Sequence, residues 1–336
     1  MSDRPGPVRS SPDPCENFAE WFRRQGHRII RTESSYWVDF GPRVYQAFPY
    51  HWLITPTPEE LNGLLRRHRL IGLRYSTPVD SAVGRVSYHA VYEGGTYGIG
   101  ELSTWGRKNV RRGLKHCRVE PISFDRLAAE GWKLQIDTLD RQARFRDATA
   151  VKSEWERRCA ATQGLPGFEA WGALVEDRLG ASVITYQMGD CVYMLYQQCH
   201  RDFLREHVNN ALGFVVTESM VKRPGVKSIL YGLHSLDAPP SVDEFKFRMG
   251  YAAKPVRQRV VFHPWLIPAF NRATHAVIRK LAGLTGHPTL SKVEGLMRFY
   301  REGRRPAEDQ DIPPALKGQA LPPTPGSSEP PTGRGS

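Results

Sequence analysis

The chain has 336 residues, 40% of them apolar, and a formal net charge of +12. This length suits two domains with a sizeable core. No stretch reaches the roughly eighteen apolar residues of a membrane span, and Met1–Pro7 lacks the apolar centre of a secretory leader, so a cytoplasmic location is expected.

In chain order, residues 1–14 are Pro-rich and poor in apolar groups, which predicts disorder. Glu16–Gln25 reads as a helix with Phe18, Trp21 and Phe22 on one side. Arg28–Ile30, Ser35–Phe40 and Arg43–Phe48 read as strands, rich in β-branched and aromatic residues. Pro49-Tyr50-His51-Trp52 is an aromatic cluster that either lines a pocket, with Tyr50 and Trp52 as substrate contacts, or fills the core. Thr57 can cap a helix whose first turn holds Pro58, Glu59 and Glu60. Leu70–Tyr75 and Val86–Tyr92 follow as strands.

The segment Arg107–Arg118 carries six Lys/Arg in twelve residues and no acid. Leu102, Val110, Leu114 and Cys117 recur at helical spacing, which predicts one buried stripe and a cationic outer side. Such a face is either simply solvated or binds anions such as phosphates, acidic sugars or RNA. Arg107, Arg111 and Arg112 are the expected contacts to a phosphate-bearing donor or an anionic acceptor, and tRNA is one expected partner. No aromatic RNP stretch, GXXG clamp or zinc finger accompanies them.

Val119–Ile122 reads as a strand, and Phe124–Gly131 and Asp137–Arg158 as helices. Ala181–Tyr186 and Cys191–Gln197 form a hairpin through Gly189-Asp190. His207–Arg223 is a helix stopped by Pro224-Gly225. Ser228–Leu233 is a strand, Asp243–Met249 a short helix closed by Gly250, and Pro255–Phe262 a last strand. Pro268–Leu284 and Leu290–Tyr300 are terminal helices, and residues 306–336 a disordered Pro-rich tail. The five cysteines, at 15, 117, 159, 191 and 199, are odd in number and lack CxxC spacing, so neither a disulfide scaffold nor a thiol-pair metal site is expected. Cys199-His200 with His207 also lacks a metal spacing, and no metal is expected.

The order strand, hairpin, strand, helix, strand, short helix, strand resembles the acyl-CoA N-acyltransferase (GNAT) fold, in the double-domain branch of the Fem-type aminoacyltransferases. Two segments carry the resemblance. Arg107-Lys108-Asn109-Val110-Arg111-Arg112-Gly113-Leu114-Lys115 is similar to the branch's basic R-x-x-I-R-K-A helix. Leu230-Tyr231-Gly232-Leu233-His234, followed by Phe245-Lys246-Phe247-Arg248-Met249-Gly250, is similar to its strand ending in Gly and its F-K-x-x-F/M-G motif. The resemblance implies an α/β fold with a mixed sheet and two GNAT-like halves, at 15–120 and 121–265, with C-terminal helices over 266–305.

It also implies transfer of an acetyl or aminoacyl group to an amine by direct attack, with no covalent enzyme intermediate. The co-substrate is acyl-CoA (acetyl-CoA) or aminoacyl-tRNA, and no G-x-S-x-G elbow or cysteine-nucleophile signature is present. By spacing alone Lys246 is a surface lysine on an amphipathic helix; the resemblance makes it a catalytic residue that stabilises charge on the donor. Tyr231 and Tyr196 lie in strands near the expected cleft; the resemblance implies a proton donor, with Tyr231 the catalytic candidate, while an alternating strand also simply buries such rings. His234, Asp237, Asp243 and Glu244 can deprotonate or orient an amine, and each is equally read as a turn or cap residue, Asp243 as an N-cap. A GNAT loop cradles pyrophosphate on glycine-rich amides at a helix N-terminus. Here Gln197–His207 contains no glycine, leaving Gln197, Arg201, Arg205 and Asn209 as the expected cofactor contacts. The alternative is a catalytically silent protein of this fold that binds RNA or another polyanion.

Overall fold

A computed structural model describes residues 13–322 except 42, 143, 145, 237–239 and 286–287. Of the expected disorder over 1–14 and 306–336, residues 1–12 and 323–336 fall outside the described residues, as does the expected role of Asp237, while Asp13 and Pro14 begin a helix.

The chain opens with α1 (Pro14–Arg24), started by the Asp13 carboxylate, which accepts from the Cys15 N–H, and by a proline in the first turn. Strands β1 (Ile29–Arg31), β2 (Tyr36–Gly41) and β3 (Val44–Phe48) follow, then α2 (Pro58–Arg67), capped by Thr57 as its sequence predicts. Next come β4 (Gly72–Thr77), β5 (Arg85–Tyr92), the basic helix α3 (Thr104–His116) and β6 (Arg118–Ile122). The expected 137–158 helix is two: α4 (Phe124–Arg141) and α5 (Ala148–Ala160), the latter restarted by an Asp147 cap. Strand β7 (Phe168–Val175) has no counterpart in the sequence reading. Strands β8 (Arg178–Met188) and β9 (Cys191–Cys199) extend the expected hairpin at both ends. The second half continues with α6 (Val208–Val221), β10 (Ser228–Leu233), α7 (Pro240–Arg248) and β11 (Ala252–Phe262). Helices α8 (Arg272–Thr285) and α9 (Pro288–Glu302) close the described fold.

The described strands form one mixed sheet in the order β1-β2-β3-β4-β11-β5-β10-β9-β8-β7-β6. The last strand, β11, is antiparallel to both β4 and β5 and lies between them. Because side chains alternate across a strand, β8 serves two cores. Ile184, Tyr186 and Met188 pack with α1, α4 and α5, while Ala181 and Val183 pack with α3 and α6. On the first half, α9 places Leu296 and Phe299 against Val44, Val260 and Phe262.

The inner face of α3 differs from the expected stripe. Its buried residues are Gly106, Asn109, Val110 and Gly113, while Leu114 is 41% exposed. Leu102 is buried ahead of the helix, and Cys117 is its C-cap. The small residues allow close approach: a Cβ on Gly113 would lie 2.4 Å from the His207 carbonyl oxygen of the α6 cap. The first part of the expected tail is not loose. Gln310 is buried, accepts from the Val86 N–H at 2.8 Å, and Leu316 packs on Val86 and Tyr88.

Candidate active site

Strands β9 and β10 pair in parallel only over Cys191–Tyr193 and Ser228–Leu230. Beyond that β9 runs on with β8 to Cys199 and β10 with β5 to Leu233, so the two strands fork. Each bulges at the fork. In β9, Tyr196 and Gln197 together oppose Val183, and Tyr196 takes a left-handed φ of 52°. In β10, Tyr231 is the extra residue between the Leu230–Val91 and Gly232–Ala90 pairs. A bulge bends its strand and re-aims side chains. Here it points Gln197 toward α6, where its amide donates to Asn209 Oδ1 at 2.9 Å and its Oε1 accepts from the Tyr231 hydroxyl at 2.6 Å.

A cleft of about 350 Å³ opens beside the fork. Both halves of the chain line it: Phe40, Gln46, Tyr50 and Arg74 from the first, Tyr193, Leu230–Leu236, Val242 and Lys246 from the second. Lys246 is 7% exposed, not on the surface as its spacing alone implies. Its ammonium donates to Asp243 Oδ1 at 2.6 Å, sits 5.5 Å from the Tyr231 ring centre, and would face any Cβ at Gly232. Asp243 lies in the first turn of α7 rather than at its cap, and its other oxygen accepts from the Tyr88 hydroxyl at 2.6 Å. A buried ion pair persists only when its partners are further hydrogen-bonded, and Tyr88 supplies that bond.

Burial pushes the Tyr231 hydroxyl well above the ordinary tyrosine range, so it stays protonated. His234 lines the cleft, with its ring stacked 4.5 Å from that of Tyr88 and its Nδ1 3.1 Å from Ser87 Oγ. Burial first, then the Arg85 charge, push it down to about 4, so the imidazole is neutral near pH 7. Arg74 is 4% exposed and donates to the His234 carbonyl at 3.0 Å and to Gln258 Oε1 at 3.1 Å through Nε. Arg74 and Tyr88 escaped the sequence reading. The one available signal was a polar side chain inside an apolar strand, which by itself gives no partner.

Of the residues singled out from sequence, the cleft brings together Lys246, Tyr231, His234 and Tyr50. Trp52 stands apart at 41% exposure, beside a narrow crevice behind Tyr50. Tyr196 does not line the cleft: its ring lies 4.0 Å from the Arg158 guanidinium and near Trp155. Gln197 and Asn209 support Tyr231 from behind. Arg201 is engaged by the Asp137 and Asp140 carboxylates, and Arg205 is exposed outside the cleft. Glu244 pairs with Arg248 on the surface. Arg107, Arg111 and Arg112 lie outside the cleft too; with Thr104, Lys108 and Lys115 they line a separate surface groove of about 530 Å³. Among the described residues, no group of three His, Cys, Asp or Glu is placed to hold a metal, and no helix is long and apolar enough to cross a membrane.

The single mixed sheet, its forked parallel pair and the two helical layers define a double-domain GNAT fold of the Fem-like type. Among solved structures, FemX aligns with a TM-score of 0.50 and 10% identity, covering 80% of this chain and 93% of that one. The C-terminal domain of a putative lysylphosphatidylglycerol synthetase from Agrobacterium fabrum aligns with a TM-score of 0.47 and 11% identity, over 80% of this chain and 95% of that one. A tandem GNAT protein from the clavulanic acid biosynthesis pathway aligns with a TM-score of 0.41 and 9% identity, over 70% and 81%. No family model and no curated protein sequence matches the chain.

Proposed function

We propose that the protein is an acyltransferase that moves an aminoacyl group from an aminoacyl-tRNA to an amine in the cleft at the β9–β10 fork. The observation that carries this reading is the buried Lys246–Asp243 pair beside Tyr231. An amine attacking an ester carbonyl develops negative charge on the carbonyl oxygen, and a fixed cation in a poorly hydrated site stabilises that charge. Lys246 is the cation, oriented by Asp243, which Tyr88 holds in turn. Tyr231, kept protonated by burial, hands its proton to the departing oxygen as the ester C–O bond breaks and takes one back from the nitrogen that has formed the new C–N bond. His234 is neutral and shapes the cleft wall.

Two features favour tRNA over acyl-CoA as donor. The glycine-free 197–207 loop commits Arg201 to Asp137 and Asp140, so its charge is already compensated. By contrast, Arg107, Lys108, Arg111, Arg112 and Lys115 form no ion pair with a described residue and share one open groove. Such a surface suits an extended phosphate backbone.

The test pairs transfer assays, with aminoacyl-tRNA and with acetyl-CoA, with tRNA binding over a salt series. Wild type is expected to transfer from aminoacyl-tRNA and to bind tRNA with a steep salt slope; Arg111→Ala/Arg112→Ala reduces that slope by about one to two. Lys246→Ala is expected to lower transfer by at least about a hundredfold with tRNA binding intact. It also strands Asp243, at a cost of about 3 kcal/mol. Adding Asp243→Asn, which removes the stranded charge and keeps an acceptor for Tyr88, recovers stability but not transfer, which separates chemistry from folding. Full turnover by Lys246→Ala, or transfer from acetyl-CoA alone, overturns the reading. Salt-sensitive tRNA binding with no transfer would assign the fold to a silent polyanion binder instead.

A further inference from the structure

From Phe245 to Val293 the chain contains no Asp or Glu and nine Lys/Arg. Within this stretch α8 is apolar on two sides. Its inner side packs on α9: Ala282 is buried, and the buried His275 has its Nε2 3.1 Å from Glu294 and its Nδ1 2.6 Å from the Arg301 guanidinium. Its outer side carries Val277, Leu281 and Leu284, spaced by four and three, at 57%, 43% and 73% exposure. In the 3-10 turn just before α8, Trp265 is 88% exposed and Ile267 41%. Lys280 is exposed at the edge of this stripe, while Arg279 lies on the opposite side of the helix.

We propose that this surface docks the protein peripherally on an anionic phospholipid bilayer. Apolar side chains one and two turns apart, an exposed indole and a flanking cation with no acid beside it are what an interfacial helix needs. The apolar stripe enters the acyl boundary, Trp265 sits at headgroup level, and Lys280 at the stripe's edge meets lipid phosphates. A second copy of the chain fits less well. A two-fold contact through this face would bring Lys280 toward its own copy, in a protein already at +12. Helix α9 joins the surface to the cleft: Arg298 donates to the carbonyl of Leu236, a cleft residue, and Gly295 lies against the same residue. A docked molecule thus holds its cleft one helix away from the lipid-facing surface.

The experiment is co-sedimentation of the full chain with phosphatidylcholine vesicles, with and without about a third phosphatidylglycerol. Wild type is expected to bind the anionic vesicles at least about tenfold more tightly than the neutral ones, and less tightly as salt rises. Val277→Asp/Leu284→Asp and Trp265→Ala change exposed positions, so the melting temperature should stay constant while vesicle affinity drops by about tenfold or more. Absence of wild-type binding to anionic vesicles, or equal binding by the variants, overturns the proposal. A dimer in sedimentation velocity that Val277→Asp/Leu284→Asp dissolves, with no vesicle binding, overturns it as well and assigns the face to a second copy.

Discussion

At the residue scale, the interior near the fork treats its ionisable groups in two ways. Lys246 and Asp243 stay as a pair because each has a partner within 2.6 Å. His234 and His89 are kept neutral. Burial first, with nearby Arg85, lowers His234 to about 4; burial first, with His51, Lys254 and Arg74, lowers His89 to about 3. Both folded values lie below the unfolded value of about 6.5. Between these limits the unfolded chain binds more protons, so this contribution to stability is complete above about pH 6.5 and is lost as pH falls toward the folded values. Urea unfolding is expected to show a loss of about 2 kcal/mol per histidine between pH 7 and pH 5. His234→Asn should flatten the slope, and an unchanged profile in that variant would remove His234 from the account. Lys246 was legible only through its motif, since a lysine next to two phenylalanines is ordinarily a surface residue. Its depth depends on Tyr88 and Asp243, and Tyr88 lies on a distant strand.

At the element scale, α3 shows how a correct helix can carry a wrong face. Its basic outer side was legible from charge alone, but its buried side is Gly106, Asn109, Val110 and Gly113 rather than Leu114, with Gly113 against α6 and Gly106 against the Arg248 carbonyl at the end of α7. Apolar periodicity does not register glycines, although they let two helix backbones come together. Gly113→Ala would place a methyl group 2.4 Å from the His207 oxygen and 2.9 Å from the Ala211 Cβ. Neither neighbour can swing aside as a long side chain would, so the helices must separate. The expected cost is about 2 kcal/mol in chemical denaturation. Wild-type stability in that variant would show that α3 and α6 are not held at this distance. Strand β7 was missed for a related reason: Phe168–Val175 is nearly all buried, and a strand covered on both faces has no alternation to read.

At the scale of the whole molecule, the two halves share one sheet because β11 crosses back to lie between β4 and β5. The 306–322 segment then lies across the outside of this join. Gln310 bonds the Val86 N–H and the Gly84 carbonyl, and Leu316 packs with Val86, Tyr88 and Ala253. Truncation after Arg305 would leave those groups to water and uncover that small cluster. A loss of about 2–4 kcal/mol is expected from one buried amide network and one leucine, read as a lower melting temperature. A truncated chain with unchanged melting would show that the strap adds nothing. Composition marked this segment as a tail, because scattered prolines conceal single anchoring residues such as Gln310 and Leu316.

Local chemistry by itself determined the caps of α2, the Gly189-Asp190 hairpin, the basic side of α3 and the order of elements that resembles the GNAT fold. Each depends on neighbours in sequence: a cap on the next three residues, a turn on two, a charged face on spacing along one helix. Only the tertiary structure decided that Lys246 is buried, that Arg201 is neutralised, that the 107–115 cations line a groove of their own, and that β11 joins the halves. These depend on contacts between segments far apart in the chain, as between Arg201 and Asp137, Arg74 and Gln258 or Tyr88 and Asp243. Such contacts form when strands stack and leave no pattern in either segment alone.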